Sequence, residues 1–534
     1  MIDNNTQITP KTIYKKTHLI IFSVISFFAI HNMIFLNTFE INFPYSVDFS
    51  DEFNDIFYFI TEGKERFFAT KGFHIIFFPK LISYPFLYIT NFDVTHLYYL
   101  QWVVNSATLY VFYLIIKQTD KKLFWTLIPI SLFLYNPLTS SGYWAISLLP
   151  WLFAMFGITL TVYFLNKKKI IFLYLNLAIL SSILSTFSIV VGVVAWFSGF
   201  ILLIKNYTNS ETNSKKFLII WTSSIIIVGA FYLSLVSNTT EPFHFEMLFT
   251  PAGFSFITHY IASSFRLKFE LLMILVGSAS LIISCFITYY FLRKELFKNY
   301  LPWFVFISIG IIGAIITAIG RMQFLDTHLG NEPYYSPISQ LFQIGLIVLS
   351  GKLIYESKKL SKKNILVILF VSLIILQMVL LIPSYYAGWQ RGEHYFNEKT
   401  EYVSCFSLKT AESCKLIMPT LEHDFLEMIN YLVKNQYSIF DESKFSESHT
   451  MSVSNFYEYE NYDVIFSKNL EINLINNIQI EKQKSIKINE PIISLEGSII
   501  SNDNWIIDEL YLVVDDQVLL KINDFDMKTS KINN

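Results

Sequence analysis

The sequence predicts an all-α polytopic membrane protein of about eleven transmembrane helices, with its N-terminus in the cytoplasm and its C-terminus outside. Three observations carry this. Of 534 residues, 53% are hydrophobic and 15% charged, whereas soluble domains carry about 25% charged residues. Uncharged runs such as Leu19 to Asn37, Leu271 to Leu292 and Ile365 to Tyr386 approach or exceed the ~20 residues that a helix needs to cross ~30 Å of hydrocarbon. Lipid offers no partner to an unpaired backbone group, so such runs must be helices. The third observation is the distribution of cations between alternate loops.

Taken in order, residues 1–17 form a basic leading segment with Lys11, Lys15 and Lys16. The apolar run that follows is too long for a signal peptide and lacks a small-residue cleavage site, so it is read as a retained helix. Spans are expected at 18–37, 96–116, 123–139, 146–165, 170–185, 187–204, 217–237, 268–292, 301–319, 336–355 and 364–385, which bound a transmembrane domain at 18–385. Inner loops then hold Lys117, Lys121, Lys122, Lys167 to Lys169, Lys205, Lys215, Lys216, Arg293, Lys294, Lys298, Lys352, Lys358, Lys359, Lys362 and Lys363. The outer ones hold only Lys64, Arg66, Lys71, Lys80, Arg266, Lys268 and Arg321. Every second loop is basic, and a missed helix would invert that pattern downstream.

The first outer loop, 38–95, is long, and its apolar stretches are interrupted by Lys, Pro and Asn, which suits short helices lying in the interface. Two further outer regions, 238–268 and 321–335, are also long. Residues 386–440 read as a polar extracytoplasmic helical linker. Within it Leu421, Phe425, Met428, Ile429 and Leu432 recur at helical spacing. Residues 441–534 read as an extracytoplasmic β-rich module, with two strands expected over Leu510 to Ile522 turning at Asp515-Asp516. Cys405 and Cys414, nine residues apart on the outer side, are candidates for a small disulfide loop, with two unrelated thiols as the alternative. The net charge of −2 suggests no nucleic-acid partner. The abundance of Phe and Tyr accords with an AT-rich genome, so no aromatic stripe is read as a platform on its own.

The densest cluster of ionisable groups lies just beyond the first span: Asp48, Asp51, Glu52 and Asp55. Crowded carboxylates beside hydrocarbon repel one another and lose solvent, which raises their pKa toward the range of a general base. A structural role is open as well, since Asp48 or Ser50 would cap a helix starting near Asp51 and acids in a first turn favour the helix dipole.

The order of a first helix, an acidic pair just outside it, interfacial helices and a second helix resembles the polyprenyl-phosphate-dependent glycosyltransferases of the GT-C superfamily, of the protein mannosyltransferase and aminoarabinose transferase types. The matching residues are Asp51-Glu52, Gly63 and His74 to Leu81. A closer similarity is to uncharacterised GT-C-like membrane proteins, through Gly72 to Pro85, Ser185 to Leu203 around Gly192 and Trp196, and Gly320-Arg321 followed by Tyr334-Tyr335-Ser336. The resemblance covers the layout of all eleven spans, on short motifs.

It implies a cell-membrane enzyme that moves a sugar from a polyprenyl-phosphate donor to an envelope acceptor with inversion. Asp51 would be the base, with Asp48 and Glu52 as rivals. The leaving phosphate would need outer cations, and Lys80, Arg266, Lys268 and Arg321 lead, with His74 as a partner. Arg321, His74 and Lys80 could equally anchor at the headgroups. Where the similar proteins place Arg before the aromatic that opens the tenth helix, this chain has Pro333-Tyr334-Tyr335, which shifts weight to Arg321 and leaves Tyr334 as a substrate contact. Some members of the superfamily hold a divalent ion on such carboxylates; the closer mannosyltransferase types need none, and no cofactor is expected. Membrane lipids are the other expected partner. The competing readings are a lipid or polysaccharide flippase and a non-catalytic envelope scaffold. Neither mid-helix charges nor helices broken in two matching halves are evident in the sequence, and that argues against a transporter.

Overall fold

A computed structural model describes residues 10–41, 70–71, 74–90, 95–137, 145–208, 213–236, 245–265, 267, 269–321, 330, 333–357, 364–407, 434, 510–514 and 517–522. The chain divides into two compact units, 1–397 and 398–534.

The first unit is helical. In chain order its helices are α1 (Pro10–Leu36), α2 (Phe77–Ile89), α3 (Thr95–Thr119), α4 (Leu127–Leu134), α5 (Ala145–Leu165), α6 (Phe172–Thr186), α7 (Val194–Thr208), α8 (Ser214–Val236), α9 (Pro251–Ala262), α10 (Glu270–Arg293), α11 (Phe297–Arg321), α12 (Ser336–Ser357) and α13 (Asn364–Ser407). Among the described residues nine helices are long and apolar enough to cross a membrane, so the chain is a helical, multi-pass membrane protein. In the second unit, β3 (Leu510–Val514) and β4 (Gln517–Ile522) pair antiparallel across residues 515–516, where the sequence places the turn. The rest of the expected β-rich module, the amphipathic stretch at 419–436 and Cys414 lie outside the described residues, as does the side chain of Cys405.

Two of the eleven expected spans are shorter than a bilayer. The 123–139 segment is a 3-10 turn, Lys121–Thr126, running into α4, together roughly 24 Å long. Asp120 caps its start by accepting from the Lys122 N–H at 3.0 Å, and Asn136-Pro137 ends it, because a residue before proline avoids helical geometry. Helix α6, of 15 residues, spans about 22 Å. Its end turns tightly back into α7: a Cβ on Gly192 would stand 1.9 Å from the Ser185 carbonyl oxygen, and the Ser185 hydroxyl lies 3.0 Å from the Gly192 carbonyl and 3.1 Å from that of Ala154. The Trp196 indole N–H donates to Thr186 at 2.9 Å and that of Trp221 to the Trp196 carbonyl at 3.1 Å. The stretch from Ser185 to Leu203 that carried part of the resemblance thus builds a helical hairpin.

Helix α13 continues past the expected end at 385, because Tyr385 and Trp389 still have a packing surface. Trp389 lies 5.5 Å from Phe35 and 5.3 Å from Phe39, at the end of α1. One helix was not foreseen, α9, although its start carries the usual signals: Thr250 accepts from Gly253 N–H at 3.2 Å and Pro251 opens the first turn.

Helices α4 and α9 both end inside the protein, where free C-terminal carbonyls need partners. Gln340 donates to Phe133 O at 2.9 Å, Tyr385 to Leu132 O at 2.9 Å, Ser339 to Ile261 O at 2.9 Å and Gln343 to Ile261 O at 3.0 Å. Around these bonds Phe133, Ala262, Phe265, Met273, Ile347 and Leu381 form a buried apolar cluster. The polar stripe of α12 (Ser336, Ser339, Gln340, Gln343), wholly buried, therefore serves to terminate two short helices.

At the opposite end of the bundle Asp120 joins three helices. Its carboxylate accepts from Tyr300 at 2.9 Å and pairs with Lys352 at 3.2 Å, while Lys352 also meets Glu356 at 2.9 Å. Burial alone raises the Asp120 pKa, but the bonds from Lys122, Tyr300 and Lys352 outweigh it and hold the carboxyl below the usual range. Asp120→Asn should therefore destabilise the bundle by about 2 kcal/mol, read as a lowered melting temperature in detergent; a melting curve superimposable on wild type would remove Asp120 from the list of fastening groups.

Candidate functional site

The end of the bundle away from Asp120 gathers the outer candidates that are described. Arg321 closes α11 and is half-buried. After it the chain returns through a 3-10 turn, Pro333–Tyr335, into α12. Here aromatic rings interlock: Trp151 near the start of α5 stands 5.9 Å from Tyr334 and 5.3 Å from Tyr335, those two tyrosines are 4.6 Å apart, and Tyr260 is 5.2 Å from Tyr335. Burial pushes the Tyr335 phenol well above its ordinary pKa and Tyr334 adds to that, whereas the positive charge of Arg321 pulls it down. Arg321 thus acts electrostatically on this turn, and Tyr334 is the half-exposed edge of the aromatic cluster.

Lys80 lies on α2. An interfacial helix turns an apolar face toward lipid. Helix α2 has such a face: Leu81, Ile82, Phe86, Tyr88 and Ile89 are exposed, and the protein-facing side carries Lys80, Ser83, Tyr84 and Leu87. Lys80 is only 4% exposed. Both α2, which carries Lys80, and the Pro333–Tyr335 turn, whose Tyr335 feels the charge of Arg321, pack against α5. His74 belongs to β2 (His74–Ile75), which pairs antiparallel with β1 (Thr70–Lys71), Lys71 opposite His74. The pair leads into α2, tied down by the Phe78 N–H donating to Phe187 O at 3.2 Å and by the packing of Ile75 with Phe187 and Val236.

The acidic loop precedes β1 in the chain. Asp48, Asp51, Glu52, Arg266 and Lys268 lie outside the described residues. Its two ends are placed: the chain leaves α1 at an aromatic collar of Phe35, Phe39, Tyr98, Trp102 and Trp389 and returns at β1. Among the described residues no group of three or more His, Cys, Asp or Glu could hold a metal ion.

Sequence reading missed His259 and Trp151. His259 is buried on α9, and its Nδ1 lies 2.7 Å from the Ser255 carbonyl. That oxygen can only accept, so Nδ1 donates to it, and Nε2 has no hydrogen-bond partner among the described residues. Its helix was legible from Thr250-Pro251; its burial was not. Trp151 is one of nine tryptophans in a chain with 52 Phe and 32 Tyr, and composition hid it. No family model, curated protein or solved structure matches the chain.

Proposed function

We propose that this chain is a membrane glycosyltransferase that moves a sugar from a polyprenyl-phosphate donor to an envelope acceptor, with the Arg321 end of the bundle on the extracytoplasmic face of the cell membrane. The observation that supports the reading is the division of α2 into an exposed apolar face and a buried face that carries Lys80. A buried cation, Lys80, lies behind that apolar face on a helix that packs against α5, as does the Pro333–Tyr335 turn that feels the charge of Arg321, and the loop holding Asp48, Asp51 and Glu52 leads along the chain into β1 and then α2. A lipid-borne phosphate needs this combination: hydrocarbon outside for the prenyl chain, cations inside for the charge.

In the reaction, Asp51 or a neighbouring carboxylate takes the acceptor's hydroxyl proton as that oxygen attacks the anomeric carbon. The bond from that carbon to the phosphate oxygen breaks with its electron pair, and the phosphate leaves on the lipid, its charge met by Lys80 and Arg321. Tyr334, the half-exposed edge of the aromatic cluster, supplies a face for a sugar ring, backed by the buried rings of Trp151 and Tyr335. Lys80→Met and Arg321→Gln should each lower transfer from a polyprenyl-phosphate sugar in membranes roughly 10²-fold at unchanged expression. Wild-type transfer by both variants would remove the phosphate role from them.

A lipid flippase is the second reading, favoured by the half-length helices α4 and α9, since discontinuous helices mark many transporter sites. Their carbonyls are already bonded to Gln340, Gln343, Ser339 and Tyr385, which leaves little for an ion. A flippase would move the lipid-linked sugar with its glycosidic bond intact, so product analysis separates the two.

A further inference from the structure

Two lysine-bearing loops meet at the Asp120 end. The Asn166 amide donates to the Gln118 side-chain oxygen at 3.3 Å, joining the end of α3 to the end of α5. This brings Lys117, Lys121 and Lys122 to the same corner as Lys167, Lys168 and Lys169; all are exposed except half-buried Lys167. The acid within these two loops, Asp120, is already engaged by Tyr300 and Lys352, so the positive charge of the corner is not cancelled locally.

Aromatic rings form its floor. Lys167 donates to the Tyr163 hydroxyl at 2.7 Å and sits 3.9 Å above that ring and 5.4 Å from the ring of Tyr174. Lys117 stands 5.9 Å from the ring of Tyr113, which stacks on Phe124 at 5.2 Å. Directly after Lys169, past buried Ile170, the chain exposes Ile171, Phe172 and Leu173. Ammonium groups above, rings at the level of the headgroups and a bare apolar track below follow the layering of one lipid leaflet.

We propose that these two loops together form a binding site for an anionic phospholipid headgroup, whose acyl chains run along Ile171 to Leu173. The proposal commits to a lipid over a soluble anion because charge and apolar track are contiguous: a free phosphate would use the lysines alone. It does not depend on the enzymatic reading.

The test uses the full chain in nanodiscs of phosphatidylcholine with and without phosphatidylglycerol, counting retained phosphatidylglycerol by native mass spectrometry. The variant K167Q/K168Q/K169Q should retain it roughly 100-fold less tightly, at about fivefold per lysine. K205Q/K215Q/K216Q removes the same charge from other basic segments and should stay within about twofold of wild type. Because Lys167 packs on Tyr163, K168Q/K169Q is made alongside and should show an intermediate loss even if the triple variant fails to fold. Equal losses in the two charge-matched triples would reduce the effect to diffuse attraction and overturn the site. So would equal retention of phosphatidylcholine and phosphatidylglycerol by wild type, or complete displacement of phosphatidylglycerol by inorganic phosphate at roughly millimolar concentration.

Discussion

Asp51→Asn should reduce sugar transfer from a polyprenyl-phosphate donor by about 10²- to 10⁴-fold, the usual contribution of a general base. The substitution keeps the size and hydrogen-bonding shape of the side chain and removes its ability to take a proton, so donor binding should survive while turnover falls. Asp48→Asn and Glu52→Gln, made in parallel, assign the role among the three carboxylates, because only the base should show the full loss. A rescue of Asp51→Asn turnover at high pH, as the acceptor hydroxyl begins to ionise without help, would support proton transfer as the missing step. Undiminished transfer in all three variants ends the proposal that this loop supplies the base.

The second large effect concerns folding. A Cβ on Gly192 would stand 1.9 Å from the Ser185 carbonyl oxygen and 2.4 Å from its carbon. Both are backbone atoms of the α6–α7 hairpin, so no side chain can rotate away. Gly192→Ala should therefore cost about 3 kcal/mol or more, at the upper end of overpacking penalties, with much of the purified protein lost as aggregate on size exclusion. Gly229→Ala is the control: nothing lies within 4 Å of that position, and alanine in a helix is favoured over glycine. Two variants melting alike would mean that α6 and α7 can separate without harm.

How much of this was legible beforehand depended on what each element is solvated by. Helices α1, α3, α5, α8, α10, α11 and α12 declare themselves because lipid demands continuous apolarity, which a hydropathy window reads directly. Helix α4 does not, because its length is set by Asp120 at one end and Asn136-Pro137 at the other, and its stability by Gln340 and Tyr385, far away in the sequence. Hydropathy weighs side chains and is silent on where carbonyls find donors. The same blindness hid the direction of α2: Lys80 was named as a cation, but only packing shows that it faces inward. Arg321 and Tyr334 were legible through their place after an apolar span. Trp151 and His259 were not, since their significance lies in neighbours from other helices.

The carbonyls at the ends of α4 and α9 also set a constraint on biosynthesis. Leu132, Phe133 and Ile261 receive their donors from residues 340, 343 and 385, and a ribosome making the chain reaches those residues up to 253 positions later. Until then the ends of both short helices face lipid or translocation machinery with open acceptors. The first half of the bundle is thus a waiting intermediate, and its completion falls to the last spans made. Truncation before α12 should leave a chain that inserts but is recognised as unfinished.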